Sequence, residues 1–384
     1  MRTLLLIVVF SISTISYARI TIIPDPNFEQ ALIDLGIDSD GIRNGQVLTN
    51  DIETLISLDV RYKNISNLTG IEDFADLESL NVRGNNLTSL NTSTNTKLKN
   101  LFCLVNPLYT INISSNILLE SLDIQVLHKL DNIDLSNNIN LETLMMGDCW
   151  IDTIDISHNV NLKTLIADGA FISEIDLSQN LLLEYLDLTG VDISSLDVSN
   201  NILLKELYFG TFDGYIGEPI TTIDPSNNVN LELVYGTNLF FLETVDARNG
   251  NNEILTVTLP SEFEGNPCQL TELYCVQVDD EVAATNNNPP YNNWRIDANF
   301  NYSEDCMLRI LTKGDSGFSI NPNPVKNELF LNSKNISGNL NLRIFNIEGK
   351  LLSNQSLSKP IFIDRKGNFT RCFQLVKWHV FSKN

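Results

Sequence analysis

The sequence predicts a β-rich solenoid, a stack of short parallel strands closed by a cap at each end. Three observations predict it. A leucine-anchored line of mostly 21 or 22 residues recurs nine times between residues 55 and 253. Within a line, apolar and polar residues alternate as on a half-buried strand, and no line carries the sustained 3.6-residue periodicity of a long helix. One such line cannot bury its leucines alone, whereas nine in a stack share one continuous core.

The chain opens with MRTLLLIVVFSISTISYA: Arg2, an apolar run from Leu4 to Ile12, and small residues at Ser16 and Ala18. This order is that of a secretory signal peptide over 1–18, and the apolar run is too short for a membrane span. No later segment is long and apolar enough to cross a bilayer, so the mature chain is expected outside the cytoplasm. Residues 19–54 are expected to form the N-terminal cap. In PDPNFEQALIDLG, Pro26 or Asn27 starts a short helix, Phe28, Ala31, Leu32 and Leu35 make its buried face, and Gly36 stops it. The following DSDG resembles part of a calcium loop. Counted from Asp38, however, the positions that need Gly and Glu hold Arg43 and Thr49, so it is expected to be a connecting loop.

The nine lines begin at residues 55, 77, 98, 119, 141, 162, 183, 204 and 231, a period within the leucine-rich-repeat range. In LEYLDLTGVDISSLDVSNNIL, the apolar columns are Leu183, Leu186, Leu188, Ile193, Leu196 and Val198. Leu186 and Leu188 alternate with outward Tyr185 and Asp187 on the concave strand, and Leu196 and Val198 alternate around Asp197 on the return leg. Two polar columns are expected to tie the turns together. One holds Asn85 and Asn106, then gives way to Leu127, Cys149, Ala170 and Val191. The other runs through Asn138, Asn159, Asn180, Asn201 and Asn228. The rhyme fades after about residue 253, leaving 254–312 as a C-terminal cap and 317–384 as a separate β region.

These features resemble the secreted leucine-rich-repeat proteins of the Bacteroidota, relatives in style of the internalins. The resemblance is carried by IPDPNFEQALIDLGIDSDGIRNGQVLTNDI (22–52), LTGIEDFADLESL (68–80), the LDVSNN returns, and the segments LYCVQVDD and NWRIDANFNYSEDC. It implies a leucine-rich-repeat solenoid with a parallel concave sheet, a short extended or turn-built convex side, an N-terminal helical cap and a C-terminal small β-sandwich. It also implies a disulfide between Cys275 and Cys306, for either of which Cys268 could compete. Residues 317–352 are similar to the type IX secretion C-terminal sorting domain, carried by Asn321, Pro322, Asn323 and Pro324 and by LRIFNIEGKLL. This implies the type IX secretion machinery as a partner, and a secreted or outer-surface location. After 358 the chain departs from that pattern: from Lys359 it holds six Lys or Arg and one acid, Asp364.

A formal charge of −23 argues against nucleic acid or an anionic membrane as partner, because both would be repelled. The three histidines, His128, His158 and His379, sit in no HExxH, and no G-x-S-x-G elbow, P-loop or paired CxxC is present. Cys103 and Cys149, inside repeats, are expected to be small buried hydrophobes. The expected function is therefore non-catalytic binding of a protein or glycan on the concave face, through Phe102, Met145, Ile166, Tyr185, Asp187, Tyr208 and Tyr235. The same stripe could be ordinary cross-strand packing. The outward return column Asp134, Asp155, Asp176, Asp197, Asp224 and Asp246 is expected to cap turns; the alternative is a calcium ladder stiffening a structural or adhesive protein. A secreted hydrolase is the least supported reading.

Overall fold

In the computed structural model the described residues are 19–210, 220–239, 241–260, 273–298 and 300–306. The backbone is also described for strands at 318–321, 330–333, 338–345, 351–359 and 378–381. The signal segment, Cys268 and Cys372 lie outside them. Two compact units divide the chain, Met1–Glu304 and Asp305–Asn384.

The first unit is a leucine-rich-repeat solenoid around an eleven-stranded sheet in which each strand pairs in parallel with its neighbour. Nine strands, from Ser57–Asp59 to Leu233–Thr237, fall one in each of the nine lines. The sheet then continues through Thr256–Leu259 and Arg295–Ile296, so the coiling runs past residue 253 into the segment expected to be cap. On the convex side, among the described residues, the return legs pair as strands only near the ends. Ser89–Asn91 joins Thr110–Asn112, and a four-stranded sheet holds Thr222–Ile223, Thr244–Asp246, Cys275–Gln277 and Asn301–Ser303.

The core columns are buried from end to end: in the line from 183, Leu183, Leu186, Leu188, Ile193 and Val198 lie inside, with Leu196 half-buried against them. Both polar ladders exist. Asn85 Nδ2 donates to the Val60 and Val82 carbonyls, and Asn106 Nδ2 to those of Val82 and Cys103. Where this ladder gives way, Leu127, Cys149, Ala170 and Val191 are buried, and the Cys149 thiol donates to the Ile124 carbonyl. The second ladder starts earlier and ends later than the members expected, with Asn95 and Asn116, which also follow the Ser–x–Asn pattern, and Asn249, which does not, as further members. Each ladder asparagine from Asn116 to Asn228 is followed by an exposed aliphatic side chain: Ile117, Ile139, Val160, Leu181, Ile202 and Val229.

The return-column aspartates form turns with their own chain. Asp134, Asp155, Asp176, Asp197 and Asp224 each accept, at 2.9–3.1 Å, the amide of the serine two residues on. Asp246 does the same with Arg248. Both repeat thiols are buried, and desolvation pushes the Cys149 thiol up to about 12.

The N-terminal cap helix α1 spans Pro26–Asp34. Its N-cap is Asp25, which accepts the Asn27 and Phe28 amides with one oxygen and the Ser66 and Asn67 amides with the other, so one side chain caps the helix and ties it to the first repeat. The buried face is Phe28, Glu29, Ala31 and Leu32. Leu35, expected inside, is the C-cap residue and is exposed: the chain has already turned toward Gly36, whose φ is +69°. Glu29 accepts the Asn44 and Gly45 amides at 2.6 Å, which orders the loop after DSDG. That loop leads into strand Gln46–Leu48, antiparallel to Ile20–Ile22, rather than directly into the first repeat.

At the other end Tyr291 and Trp294 close the core. The Tyr291 hydroxyl donates to Asn252 and the Trp294 indole to the Leu255 carbonyl, both at 2.8 Å. Cys275 and Cys306 are disulfide-bonded. The second unit holds two small sheets among its described residues. Phe318–Asn321 pairs with Phe330–Ser333, and Gly338–Phe345 pairs with Leu351–Lys359 and, in parallel, with Trp378–Phe381.

Candidate functional site: the concave sheet

On three-residue strands the first and third side chains point out of the concave face and the second points into the core, so parallel in-register pairing turns each position into a row. The third-position row reads Asn81, Phe102, Asp123, Met145, Ile166, Asp187, Tyr208, Tyr235 and Thr258. Six of the seven residues expected from the sequence lie side by side in it. The seventh, Tyr185, lies in the first-position row, between Thr164 and Glu206. Asp123, which fills the gap between Phe102 and Met145, was not among the expected residues, although it occupies in LESLDI the place that Asp187 holds in LEYLDL.

Two environments result. At the C-terminal end the tyrosines stack obliquely, with ring centroids 5.4 Å apart for Tyr185–Tyr208 and 5.8 Å for Tyr208–Tyr235. All three are half-buried. The first contact is a diagonal between rows. Tyr208 donates its hydroxyl to Glu206 at 2.8 Å, and burial together with that bond raises its pKa. The tyrosines are thus positioned, with large faces ordered at little entropic cost.

Beside them is an acidic cluster around Asp168, whose pKa is raised by burial and by the neighbouring charges of Asp187 and Asp148. Asp123, three strands before Asp187 in the same row, is raised by burial. Asp168 lies one pleat beyond Ile166, and its carboxylate leans over Gly147, where a Cβ would collide with it. A carboxyl whose folded pKa lies above its unfolded value costs stability at neutral pH, and the cost disappears as pH falls through the folded value. Asp134, Asp155, Asp176 and Asp197 have the opposite sign: their serine hydrogen bonds hold them low, so their contribution is present above the unfolded pKa and is lost in acid. Replacing Asp168 by Asn is accordingly expected to raise Tm at neutral pH, with a gain that shrinks towards about pH 4.5. Scanning calorimetry at both pH values checks this, and a lower Tm at neutral pH would contradict it.

Residues 319–365 match the model of a secretion system C-terminal sorting domain, thirteen residues beyond Leu352, where the resemblance read from the sequence ended. No curated protein matches the chain. Among solved structures it is similar to the functional domain of InlJ from Listeria monocytogenes, which includes a cysteine ladder. Identity is 22%, covering 74% of this chain and 72% of that one, with a TM-score of 0.46. It is also similar to internalin C2 of Listeria monocytogenes, at 23% identity over 49% of this chain and 96% of that one, TM-score 0.37. A leucine-rich-repeat protein of Leptospira interrogans gives 22% identity over 55% and 62%, TM-score 0.37. The first unit is a leucine-rich-repeat solenoid by its own strand pattern, and residues 319–365 are similar to a secretion system C-terminal sorting domain.

Proposed function

We propose that this is a non-catalytic binding protein, exported to the outer surface or the medium by type IX secretion, that recognises a protein or glycan on its concave face. The observation that carries the reading is the tyrosine stack. Tyr185, Tyr208 and Tyr235 are pre-positioned, half-buried and adjacent to the carboxylates of Glu206 and Asp187 on a rigid parallel sheet. Rigid aromatic area with hydrogen-bonding groups at its edge is what hot spots of binding surfaces are made of. Solenoid concavities present such a surface without a cleft. Phe102, Met145 and Ile166 continue it as apolar area towards the N-terminal cap, with Asp123 and Asp187 setting the charge preference.

The test is capture of partners from extracts of neighbouring or host cells by the mature protein, repeated with Tyr185, Tyr208 and Tyr235 changed together to Ala. These side chains are only half-buried, so the variant is expected to fold and to lose its partners. Identical partners for both proteins would overturn the concave assignment.

A further inference from the structure

A second surface, outside the concave sheet, has the composition of a binding site. On three successive coils the residue just after the abandoned asparagine column is aromatic: His128 follows Leu127, Trp150 follows Cys149 and Phe171 follows Ala170. The first residue of each pair is buried and the second faces outward: Leu127, Cys149 and Ala170 lie inside, whereas His128 is exposed and Trp150 and Phe171 are 50% and 56% exposed. The rings form a continuous stripe, with centroids 5.5 Å apart for His128–Trp150 and 5.9 Å for Trp150–Phe171. The coils beneath are tied by the Phe171 amide to the Cys149 carbonyl, so the stripe is held on a rigid base. Trp150, Phe171, Asp131 and Asp152 together line an open depression of about 330 Å³. Neither carboxylate has a hydrogen-bond or ion-pair partner among the described residues.

Core packing does not explain these rings, since they point away from the core, and turn formation does not explain these aspartates, since their carboxylates accept no amide among the described residues. Aromatic faces attract ammonium and guanidinium groups within about 6 Å. Unpaired carboxylates beside such faces add charge-assisted hydrogen bonds, and a net charge of −23 steers cations towards the molecule. We propose that the His128–Trp150–Phe171 stripe with Asp131 and Asp152 is a docking site for lysine or arginine side chains of a basic protein segment. The cation sits against the Trp150 and Phe171 rings while the two carboxylates take its N–H donors. The site lies apart from the tyrosine stack and stands whether or not the concave face binds its own ligand.

The test is calorimetric titration of the mature full-length protein with an alternating lysine–glycine decapeptide, a glutamate–glycine decapeptide and chitohexaose. Wild type is expected to bind the lysine peptide alone. Trp150→Ala and the pair Asp131→Asn with Asp152→Asn are each expected to weaken it about tenfold. The triple alanine variant of Tyr185, Tyr208 and Tyr235 is expected to leave it unchanged. Trp150→Ala removes no charge, so its effect separates docking from the general attraction of an acidic protein for any polycation. Unchanged affinity in Trp150→Ala, equal binding of the glutamate peptide, binding of chitohexaose alone, or loss only in the tyrosine variant would each overturn the proposal.

Discussion

Asn180→Asp is expected to be the most damaging conservative substitution in the solenoid, lowering stability by about 4 kcal/mol or more at neutral pH, against about 2–4 kcal/mol for Asn180→Ala. Asn180 is fully buried, and its Nδ2 donates to two carbonyls of the preceding coil, Ile156 at 3.1 Å and Asn159 at 3.0 Å. Its own carbonyl then accepts Asn201 Nδ2 at 2.9 Å, so the side chains hand the connection from coil to coil. From Asn138 to Asn228 the ladder uses the donor end only: the Oδ1 atoms of Asn138, Asn159, Asn180, Asn201 and Asn228 are buried without a hydrogen-bond partner among the described residues. Alanine removes two hydrogen bonds and leaves a small void, but each carbonyl keeps a backbone partner, the amides of Asn159 and Leu162. A carboxylate instead brings acceptors against acceptors where no cation can reach. It must protonate to remain, so its folded pKa rises far above the unfolded value of about 3.9. The penalty is full at neutral pH and falls as pH drops through the folded value, so the two variants converge in acid. Guanidinium unfolding followed by circular dichroism at neutral pH and at about pH 4.5 measures both differences. An Asn180→Asp variant within about 1 kcal/mol of wild type at neutral pH would contradict a donor-only ladder.

The rows were legible in the sequence because two periodicities suffice to write them. The repeat length places Phe102, Met145, Ile166, Asp187, Tyr208 and Tyr235 in one column, and the two-residue pleat turns that column outward. What periodicity cannot supply is contact between columns. Tyr185 touches Tyr208 rather than a member of its own row, because long side chains on a twisted sheet reach diagonally. In the aromatic stripe the rings keep step, His128, Trp150 and Phe171 each holding the tenth place of its line, but the carboxylates do not: the line from 119 carries one extra residue, which puts Asp131 in the thirteenth place against the twelfth for Asp152. The cap hid its determinants in residue types with several meanings. Asp25 and Glu29 read as surface acids until the amides they accept, from Ser66, Asn67, Asn44 and Gly45, are seen to come from distant segments. Leu35 failed in the opposite sense, since a fourth apolar residue at helical spacing says nothing once the helix has ended at Asp34.

Gly210→Ala is expected to cost about 3 kcal/mol or more and to impair the tyrosine surface at the same time. Gly210 ends strand Glu206–Gly210 at φ +105°, paired with Thr237 of the next coil. A Cβ there would fall on the Thr237 carbonyl oxygen and 2.7 Å from its nitrogen. These are backbone atoms, so no rotamer relieves the overlap, and the two strands must separate where they now pair. Tyr208 and Tyr235 stand two residues upstream on those same strands, and their 5.8 Å ring contact depends on that spacing. Gly250 supplies the internal control: its φ of +73° is also left-handed, but a Cβ there meets nothing within 4 Å. Gly250→Ala should therefore show the conformational cost alone, about 1 kcal/mol, with partner capture intact. Thermal unfolding of the two variants beside wild type separates close approach from backbone strain. If Gly210→Ala loses no more stability than Gly250→Ala, the close approach of the two strands is not what requires glycine, and the tyrosine surface is not held by it.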